Sequence, residues 1–255
     1  MEEILTITDL RRIYGRGDAA TRALDGVSLT LKAGEFVGVM GASGSGKTTL
    51  LNCVATIDKP TSGSILIDGR EMTGLRGKEL AKFRRERLGF IFQDCNLLDT
   101  LTAFENIALA LSIVKAPAGE IEGRVRETAE LLGISDCLSK YPYQMSGGQQ
   151  QRTAAARAIV THPALVLADE PTGALDSKSA KQLLNRLEVL NRSLGATILM
   201  VTHDAFTASC CSRVVFLRDG RIYLELNRKD MDRQKFFQTI LRVVSEMGGE
   251  MADVR

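Results

Sequence analysis

The chain has 255 residues, of which 44% are hydrophobic and 25% are charged, which fits one large folded domain or a domain with a smaller lobe. Lysine and arginine total 33 against 31 for aspartate and glutamate, so the net charge is only +2. Apart from a cluster at Arg84, Arg85 and Arg87 the basic residues are spread along the chain, and nucleic acid is not expected as a partner.

The five cysteines are odd in number and lack the spacing of a metal site, so we expect reduced thiols in a cytosolic protein. Cys210 and Cys211 are adjacent in a stretch that we predict to be helical. No apolar run reaches the roughly 18 residues that a membrane-spanning helix needs. The acidic start "MEEILTITDL" is also unlike a signal peptide. By itself the chain is expected to stay in the cytosol.

Apolar runs typical of strands alternate with longer helical patterns, which favours an α/β fold with a largely parallel central sheet. The strand candidates in chain order are "ILTITDL", "VSLTLKAGEFVGVM", "GSILIDG", "LGFIFQ", "ALVLADE", "ATILMVTH" and "RVVFLRDGRI". From about residue 99 to 145 the periodicity is helical, most clearly in "ENIALALSIV" and "EIEGRVRETAELLGI". We therefore predict an inserted helical lobe there.

The last segment, "DMDRQKFFQTILRVVSEM", predicts a helix with one apolar face. That face would consist of Phe236, Phe237, Ile240, Leu241 and Val244. We interpret residues 229–255 as a C-terminal helical extension of a domain formed by residues 1–228. A helix docked on the domain is favoured over a helix that binds a partner.

A phosphate-binding loop, or P-loop, is predicted where "GASGSGKTT" follows the apolar strand "EFVGVM" and opens a helical pattern. Glycines let backbone N–H groups converge on phosphate oxygens, and the helix N-terminus adds partial positive charge. Lys47 would reach the β and γ phosphates, and the hydroxyl of Thr48 would bind Mg²⁺. The alternative is a plain glycine-rich turn. The predicted nucleotide contacts are Gly41, Ala42, Ser43, Gly44, Ser45, Gly46, Lys47, Thr48 and Thr49.

Two consecutive carboxylates, Asp169 and Glu170, end the apolar strand "ALVLADE". Beside a P-loop, Asp169 is suited to hold Mg²⁺ and Glu170 to take a proton from attacking water. The alternative for this pair is an acidic helix cap. His203 ends the next strand and would point into the same site at the carboxyl edge of the sheet, as a sensor of the γ-phosphate.

A third stretch, "MSGGQQQR", also suits phosphate. Ser146 is a candidate N-cap, Gly147 and Gly148 allow close backbone approach, and the helix that follows favours an anion at its N-terminus. A bare helix cap is the alternative, and it would explain Ser146 but not the paired glycines.

Together these motifs resemble the ATP-binding subunit of ABC transporters over nearly the whole chain. "SGGQQ" resembles the ABC signature, with Met145 where the family most often has Leu, and "GALD" resembles the D-loop. Gln93 in "IFQD" resembles the Q-loop glutamine, His203 the switch histidine, and Tyr14 the aromatic that stacks on adenine. The resemblance implies the ABC-ATPase fold of P-loop NTPases, with a mostly parallel core sheet, an antiparallel β subdomain and an inserted helical subdomain.

The resemblance also implies a mechanism and partners. Ser146, Gly147, Gly148 and Gln149 would contact the γ-phosphate held by the P-loop of a second copy, so each chain would supply halves of two sites. ATP and Mg²⁺ would be the cofactors, with Glu170, His203, Lys47 and Gln93 catalytic and Thr48, Gln93 and Asp169 at the metal. A transmembrane permease would hold the subunit at the cytoplasmic side of the membrane.

A narrower resemblance rests on "FQDCNLLDTLTAFENI", "DEPTGALDSKSA" and the tail "DRQKFFQTILR". These stretches are similar to ATPases of bacitracin-resistance-type transporters, which act against antimicrobial peptides and often work beside a sensor kinase. Lipoprotein-release and macrolide-export ATPases share "TGALDS" and are the alternatives within the family.

Other function classes fit less well. DNA-repair ABC ATPases need a long coiled-coil insertion and translation factors usually carry two cassettes, and this sequence has neither. A nucleotide-sensing module without turnover is disfavoured by Lys47, Glu170 and His203. A GTPase would need an "NKxD" element, which we do not find.

Overall fold

A computed structural model describes residues 2–252, without the side chains of Asp18 and of residues 248–252. Ten strands are assigned, with these bounds: β1 Glu3–Tyr14, β2 Thr21–Lys32, β3 Phe36–Met40, β4 Ser62–Ile67, β5 Arg70–Glu71, β6 Leu88–Ile91, β7 Leu165–Asp169, β8 Ile198–Val201, β9 Arg213–Arg218 and β10 Arg221–Asn227. Eight α-helices accompany them, with these bounds: α1 Lys47–Val54, α2 Gly77–Arg87, α3 Ala103–Ile113, α4 Ala118–Leu132, α5 Gly147–Ile159, α6 Ser177–Leu194, α7 Ala205–Ala208 and α8 Arg233–Ala252. All seven strand candidates of the sequence therefore contain strands.

The strands form two sheets. One is antiparallel, in the order β2-β1-β4-β5, and the other has six strands in the order β10-β9-β3-β8-β7-β6. Within the second sheet β3, β6, β7, β8 and β9 run parallel and only β10 is antiparallel to its neighbour. The predicted α/β fold with a largely parallel sheet is confirmed.

Burial of the central strands agrees with their parallel arrangement. Every residue of β3 and β8 is buried, as expected for strands covered on both faces by crossover helices. The edge strand β10 instead alternates between exposed and half-buried residues. The carboxyl ends of β3, β7 and β8 consequently meet at one edge of the sheet, which is where ligands bind in open α/β sheets.

Between β6 and β7 the chain is helical and has no strand, as the periodicity of residues 99–145 predicts. Phe104 donates its backbone N–H to Leu138 O, and Ala103 to Lys140 O, which close this segment on itself. Ile107, Leu111 and Val125 are fully buried, and they share one hydrophobic core with residues of the parallel sheet. The division of the chain into residues 1–228 and 229–255 stays a prediction.

The C-terminal helix is docked, but its predicted apolar face was partly wrong. Phe236, Ile240 and Val243 are buried in the core shared with the parallel sheet. Leu241 and Val244 are 44% and 40% exposed, because the helix turns positions 236, 240 and 243 toward the core instead.

The helical assignment of Cys210 and Cys211 was also wrong. α7 ends at Ala208, and the N–H groups of Cys210 and Cys211 donate three residues back, to Thr207 O and Ala208 O, as in a turn. The chain turns here because Ser212 N already donates to Phe36 O on the sheet. No helix within residues 2–252 is both long and apolar enough to cross a membrane.

Candidate nucleotide-binding site

The P-loop connects β3 to α1 and requires glycine at two of its positions. A Cβ on Gly41 would lie 2.2 Å from Leu217 O, and a Cβ on Gly46 would lie 2.3 Å from Ala23 O. Gly46 is also left-handed, with φ 103°, and it is the N-cap of α1. The first N–H groups of α1 have no partner inside the helix, so they are available to an anion beside the loop.

Lys47 and Ser45 provide the evidence that the loop fits phosphate. Lys47 is 9% exposed, and its Nζ donates to Gly41 O at 2.8 Å and to Ala42 O at 2.9 Å. Desolvation by burial lowers the pKa of Lys47, while Glu170 and Asp169 favour its charged form. Ser45 Oγ is buried without a hydrogen-bond partner. A buried ammonium and an unsatisfied hydroxyl suit the oxygens of a bound phosphate.

The two carboxylates and the histidine lie at the sheet edge beside the P-loop. Asp169 ends β7, and Glu170 follows with a left-handed φ of 44°. Glu170 N donates to Val201 O at 3.0 Å, which fixes this strained residue next to β8. His203 Nδ1 and Glu170 Oε1 are 2.9 Å apart, and the side chain of His203 is 71% exposed against 18% for Glu170. The hydrogen bond therefore joins the predicted base to the predicted sensor.

Asp169 is held near the same charges. Burial raises the pKa of Asp169, the neighbouring Glu170 raises it further, and Lys47 lowers it. A carboxylate whose ionisation is costly gains from a cation placed close to it. No group of three or more His, Cys, Asp or Glu side chains suited to a metal ion occurs among the described side chains.

A cavity of about 650 Å³ brings most of these residues together. Its lining consists of Ala23, Ala42, Ser43, Gly44, Gly46, Lys47, Thr48, Thr49, Glu170 and His203. Thr48 thus supplies a hydroxyl oxygen to the cavity, of the kind that Mg²⁺ accepts. Gly41 and Ser45 line an adjoining cavity of about 370 Å³ that also reaches His203.

Tyr14 lies outside the lining of this cavity, at the end of β1. Its hydroxyl is hydrogen-bonded to the carboxylate of Asp58, which also pairs with Arg12 at 2.6 Å. The Arg12 guanidinium carbon lies 4.3 Å from the centre of the Tyr14 ring, and Tyr14 is 40% exposed. Its orientation is thus fixed, whereas its contact with adenine stays a prediction.

Gln93 also lies outside the lining, in the segment that leaves β6. Its side chain packs against the D-loop, since a Cβ on Gly173 would lie 3.1 Å from Gln93 Cδ. A contact of Gln93 with a metal stays a prediction.

The signature stretch, Ser146–Gln149, begins α5. Ser146 Oγ accepts from Gln149 N at 3.3 Å, and Gln149 Oε1 accepts from Ser146 N at 2.9 Å. The predicted N-cap is confirmed, as a capping box. Ser146 and Gly147 are exposed, while Gly148 is buried and a Cβ there would lie 2.7 Å from Ser179 Oγ. None of the four residues is among those that line the P-loop cavity.

The family model described as "ABC transporter" matches residues 24–173. The chain belongs to the ABC transporter family. It is 52% identical over 250 residues to the bacitracin export ATP-binding protein BceA of Halalkalibacterium halodurans, covering 98% of this chain and 99% of that protein. It is 45% identical over 226 residues to the macrolide export ATP-binding/permease protein MacB of Hyphomonas neptunium, covering 89% of this chain and 35% of MacB.

Among solved structures, this ABC ATPase resembles a dimeric, post-hydrolysis state of the ATP-binding cassette MJ0796, of Methanocaldococcus jannaschii, bound to ADP and Pi. The TM-score is 0.80 at 38% identity, over 89% of this chain and 100% of that one. The chain is therefore the ATP-binding and hydrolysing subunit of an ABC transporter, with the ABC-ATPase fold and with ATP and Mg²⁺ as cofactors. Cassettes of this family form dimers and work with a transmembrane permease.

Sequence reasoning missed two residues of this region. Ala23 lines the cavity from β2, and Asp58 anchors Tyr14 from beyond α1. Neither carries a sequence signal, because each contact joins segments that are distant in the chain.

Proposed function

We propose that this ABC ATPase drives a permease that protects the cell against bacitracin-type antimicrobial peptides, through ATP-driven pairing of two copies of the chain. One observation carries the pairing. Lys47, Glu170 and His203 share one cavity with the P-loop, whereas the signature stretch begins a different helix outside its lining. The P-loop cavity of one copy therefore holds only half of the proposed phosphate contacts. The exposed Ser146 and Gly147 of a second copy supply the other half.

The residues of the cavity divide the reaction between them. The P-loop N–H groups and Lys47 bind the β and γ phosphates and stabilise the charge that develops on them. Glu170 takes the proton of the attacking water. His203 holds the Glu170 carboxylate in place and itself contacts the γ-phosphate. Thr48, Asp169 and Gln93 hold Mg²⁺, which neutralises phosphate charge when bound. Tyr14 stacks on the adenine.

Two findings support the peptide-resistance assignment over macrolide export. The alignment with the bacitracin export protein covers 98% of this chain, so it extends into the 20-residue helix α8. The alignment with MacB covers 89% of this chain and only 35% of MacB, whose name describes a fused ATP-binding and permease protein. Lipoprotein release is the other alternative within the family, and a non-transport ATPase or nucleotide-sensing module is a more distant one.

The proposed setting follows from the same assignment. The chain lies at the cytoplasmic side of the membrane, attached through its permease, and a sensor kinase acts beside that permease. Deletion of the gene in its host should increase sensitivity to bacitracin and leave sensitivity to a macrolide unchanged. The reverse pattern would favour macrolide export.

The pairing is tested with a variant that binds ATP but does not cleave it. Glu170→Gln keeps the shape of the side chain but cannot accept a proton, so ATP with Mg²⁺ should trap two copies as a dimer in light scattering. Hydrolysis at the parental rate would remove Glu170 as the base.

A second substitution at Ser146 separates charge from helix capping. Aspartate and asparagine both cap helices well, but only aspartate places a negative charge where the γ-phosphate of the other copy would dock. In the Glu170→Gln background, Ser146→Asp should abolish the dimer while Ser146→Asn retains it, with equal nucleotide affinity of the monomers. A Ser146→Asp protein that still dimerised with ATP would refute the contact between copies. Gly148 is a poorer test position because a side chain there collides with Ser179.

A further inference from the structure

The segment that carries Gln93 has an unusual backbone. Immediately after Gln93 and Asp94, two consecutive residues, Cys95 and Asn96, are left-handed, with φ 53° and 49°. Neither is glycine, and a left-handed residue with a side chain is sterically disfavoured unless its surroundings hold it. We call residues Phe92–Asn96 the Gln93 segment.

Two side chains of α5 hold this segment on both sides of Gln93. Gln151 is fully buried, and its Nε2 donates to Phe92 O at 2.7 Å, while the thiol of Cys95 donates to its Oε1. Arg157 donates from its two terminal nitrogens to Asn96 O at 2.7 Å and to Cys95 O at 2.9 Å. Four hydrogen bonds between α5 and the segment, three donated by the helix and one by Cys95, thus bracket Gln93.

An arginine at position 157 suits this contact better than a lysine would. Burial lowers its pKa, which reflects the cost of desolvating a guanidinium, and within residues 2–252 none of its assigned partners is a carboxylate. Its two terminal nitrogens are hydrogen-bonded to two backbone carbonyls. A planar guanidinium can reach two neighbouring carbonyls at once, whereas a lysine ammonium presents a single point of charge.

α5 is also the helix that begins at the signature stretch. Because a helix moves largely as a unit, a displacement at Gly147 is passed to Gln151 and Arg157 and from them to the Gln93 segment. We propose that Gln151 and Arg157 are positioning residues that hold Gln93 in place and couple its position to the signature stretch. Any effect of Gln151 and Arg157 on catalysis rests on the proposed role of Gln93. Their hold on the backbone of the Gln93 segment does not depend on that role.

Cys95 provides a direct reporter of the segment. It is half-buried, and the other four cysteines are buried. Its thiol donates to Gln151 Oε1, so partial burial and this hydrogen bond together restrict the access of an alkylating reagent to Cys95. Release of the segment would break this hydrogen bond, expose the thiol and accelerate alkylation.

The experiment compares Gln151→Met and Arg157→Lys with the parent and with Gln150→Met. Gln150 is the matched control because its Nε2 also donates from α5 to backbone carbonyls, those of Pro142 and Met145, away from the Gln93 segment. We call Gln151→Met and Arg157→Lys the tether variants, because each removes hydrogen bonds that hold the Gln93 segment on α5. Iodoacetamide labelling of Cys95, followed by peptide mass spectrometry, should be about tenfold faster in the two tether variants and nearly unchanged in Gln150→Met. Arg157→Lys keeps the positive charge and most of the aliphatic stem. Its labelling rate therefore tests the hold on the Gln93 segment even if Gln151→Met does not fold.

Steady-state ATPase measurements on the same proteins test the coupling. The tether variants should lose about threefold or more in kcat with KM for ATP nearly unchanged, because neither residue lines the P-loop cavity. Arg157→Gln should lose more than Arg157→Lys. Unchanged labelling of Cys95 would refute the claim that Gln151 and Arg157 hold the Gln93 segment. Faster labelling with an unchanged kcat would refute the claim that this hold affects catalysis. Gln93→Ala separates the two proposals: parental kcat in that variant would refute the role of Gln93 without affecting the labelling result.

Discussion

The docking of α8 can be tested with two truncations on the same helix. Phe236→Ala removes a ring that is 0% exposed, whereas Leu241→Ala removes a side chain that is 44% exposed. Phe236 belongs to the core that the parallel sheet shares with α3 and α4. Next to it, the Phe237 ring packs edge-on against Phe206, with 6.4 Å between the ring centres. We expect Phe236→Ala to be much the more destabilising, because it leaves a cavity.

The size of the difference follows from burial. Truncation of a buried phenylalanine costs about 3–5 kcal/mol in the free energy of unfolding, including the cavity. Full burial of a leucine side chain is worth about 1.5–3 kcal/mol, so the half-exposed Leu241 should cost roughly 1 kcal/mol. At about 2–4 °C per kcal/mol for a domain of this size, the decrease in Tm is roughly 6–20 °C for Phe236→Ala and about 2–4 °C for Leu241→Ala.

Urea unfolding and amide hydrogen exchange together cover two possible outcomes. If α8 unfolds with the rest of the chain, the midpoint of the urea transition falls by the full amount. If α8 detaches alone, the midpoint changes little, and exchange of the amides in residues 236–247 accelerates about 100-fold or more. Equal effects of Phe236→Ala and Leu241→Ala in both measurements would refute the docked arrangement.

Two further predictions concern the site. Tyr14→Ala should weaken binding of a fluorescent ATP analogue about 5- to 30-fold, because one aromatic stacking contact is lost. Tyr14→Phe loses only the hydrogen bond to Asp58, so its affinity should stay within about threefold of the parent. Equal affinity for Tyr14→Ala and the parent would remove Tyr14 from the site. Asp169→Asn should abolish hydrolysis yet raise Tm of the nucleotide-free protein by about 1–4 °C, allowing for partial exposure of the carboxylate. The raised pKa of Asp169 means that the parent loses stability as pH rises from the ordinary aspartate value of about 3.9 through the raised value. This loss should be absent from Asp169→Asn, and a lower Tm of the variant would contradict the argument.

The parts of the site that lie within one short segment could be predicted from the sequence. A strand, a loop of fixed spacing and a helix start all fall within residues 36–54, so the pattern itself implies the P-loop geometry. The cap at Ser146 is equally local, because its partner Gln149 is only three residues away.

Contacts between distant segments could not be predicted in this way. Gln151 and Phe92 are 59 positions apart, and Tyr14 and Asp58 are 44 apart, and no spacing rule connects them. The buried face of α8 was predicted only in part for a related reason. Its sequence is apolar at 240 and 241 and again at 243 and 244, so the periodicity fits two faces, and packing against the core selects one of them.

The close contact between Gly148 and Ser179 limits how segments can be exchanged between related ATPases. Ser179 Oγ donates to Asp176 Oδ2 at 2.7 Å, and Asp176 in turn caps α6 by accepting from the N–H groups of Lys178 and Ser179. A chimera that receives a bulkier residue at position 148 must therefore displace Ser179, and with it the cap that ends the D-loop. Donor segments for residues 146–149 and 176–179 have to be taken from the same parent, or the residue at 179 has to be reduced to glycine at the same time, since a Cβ at 148 would lie 2.8 Å from Ser179 Cβ as well.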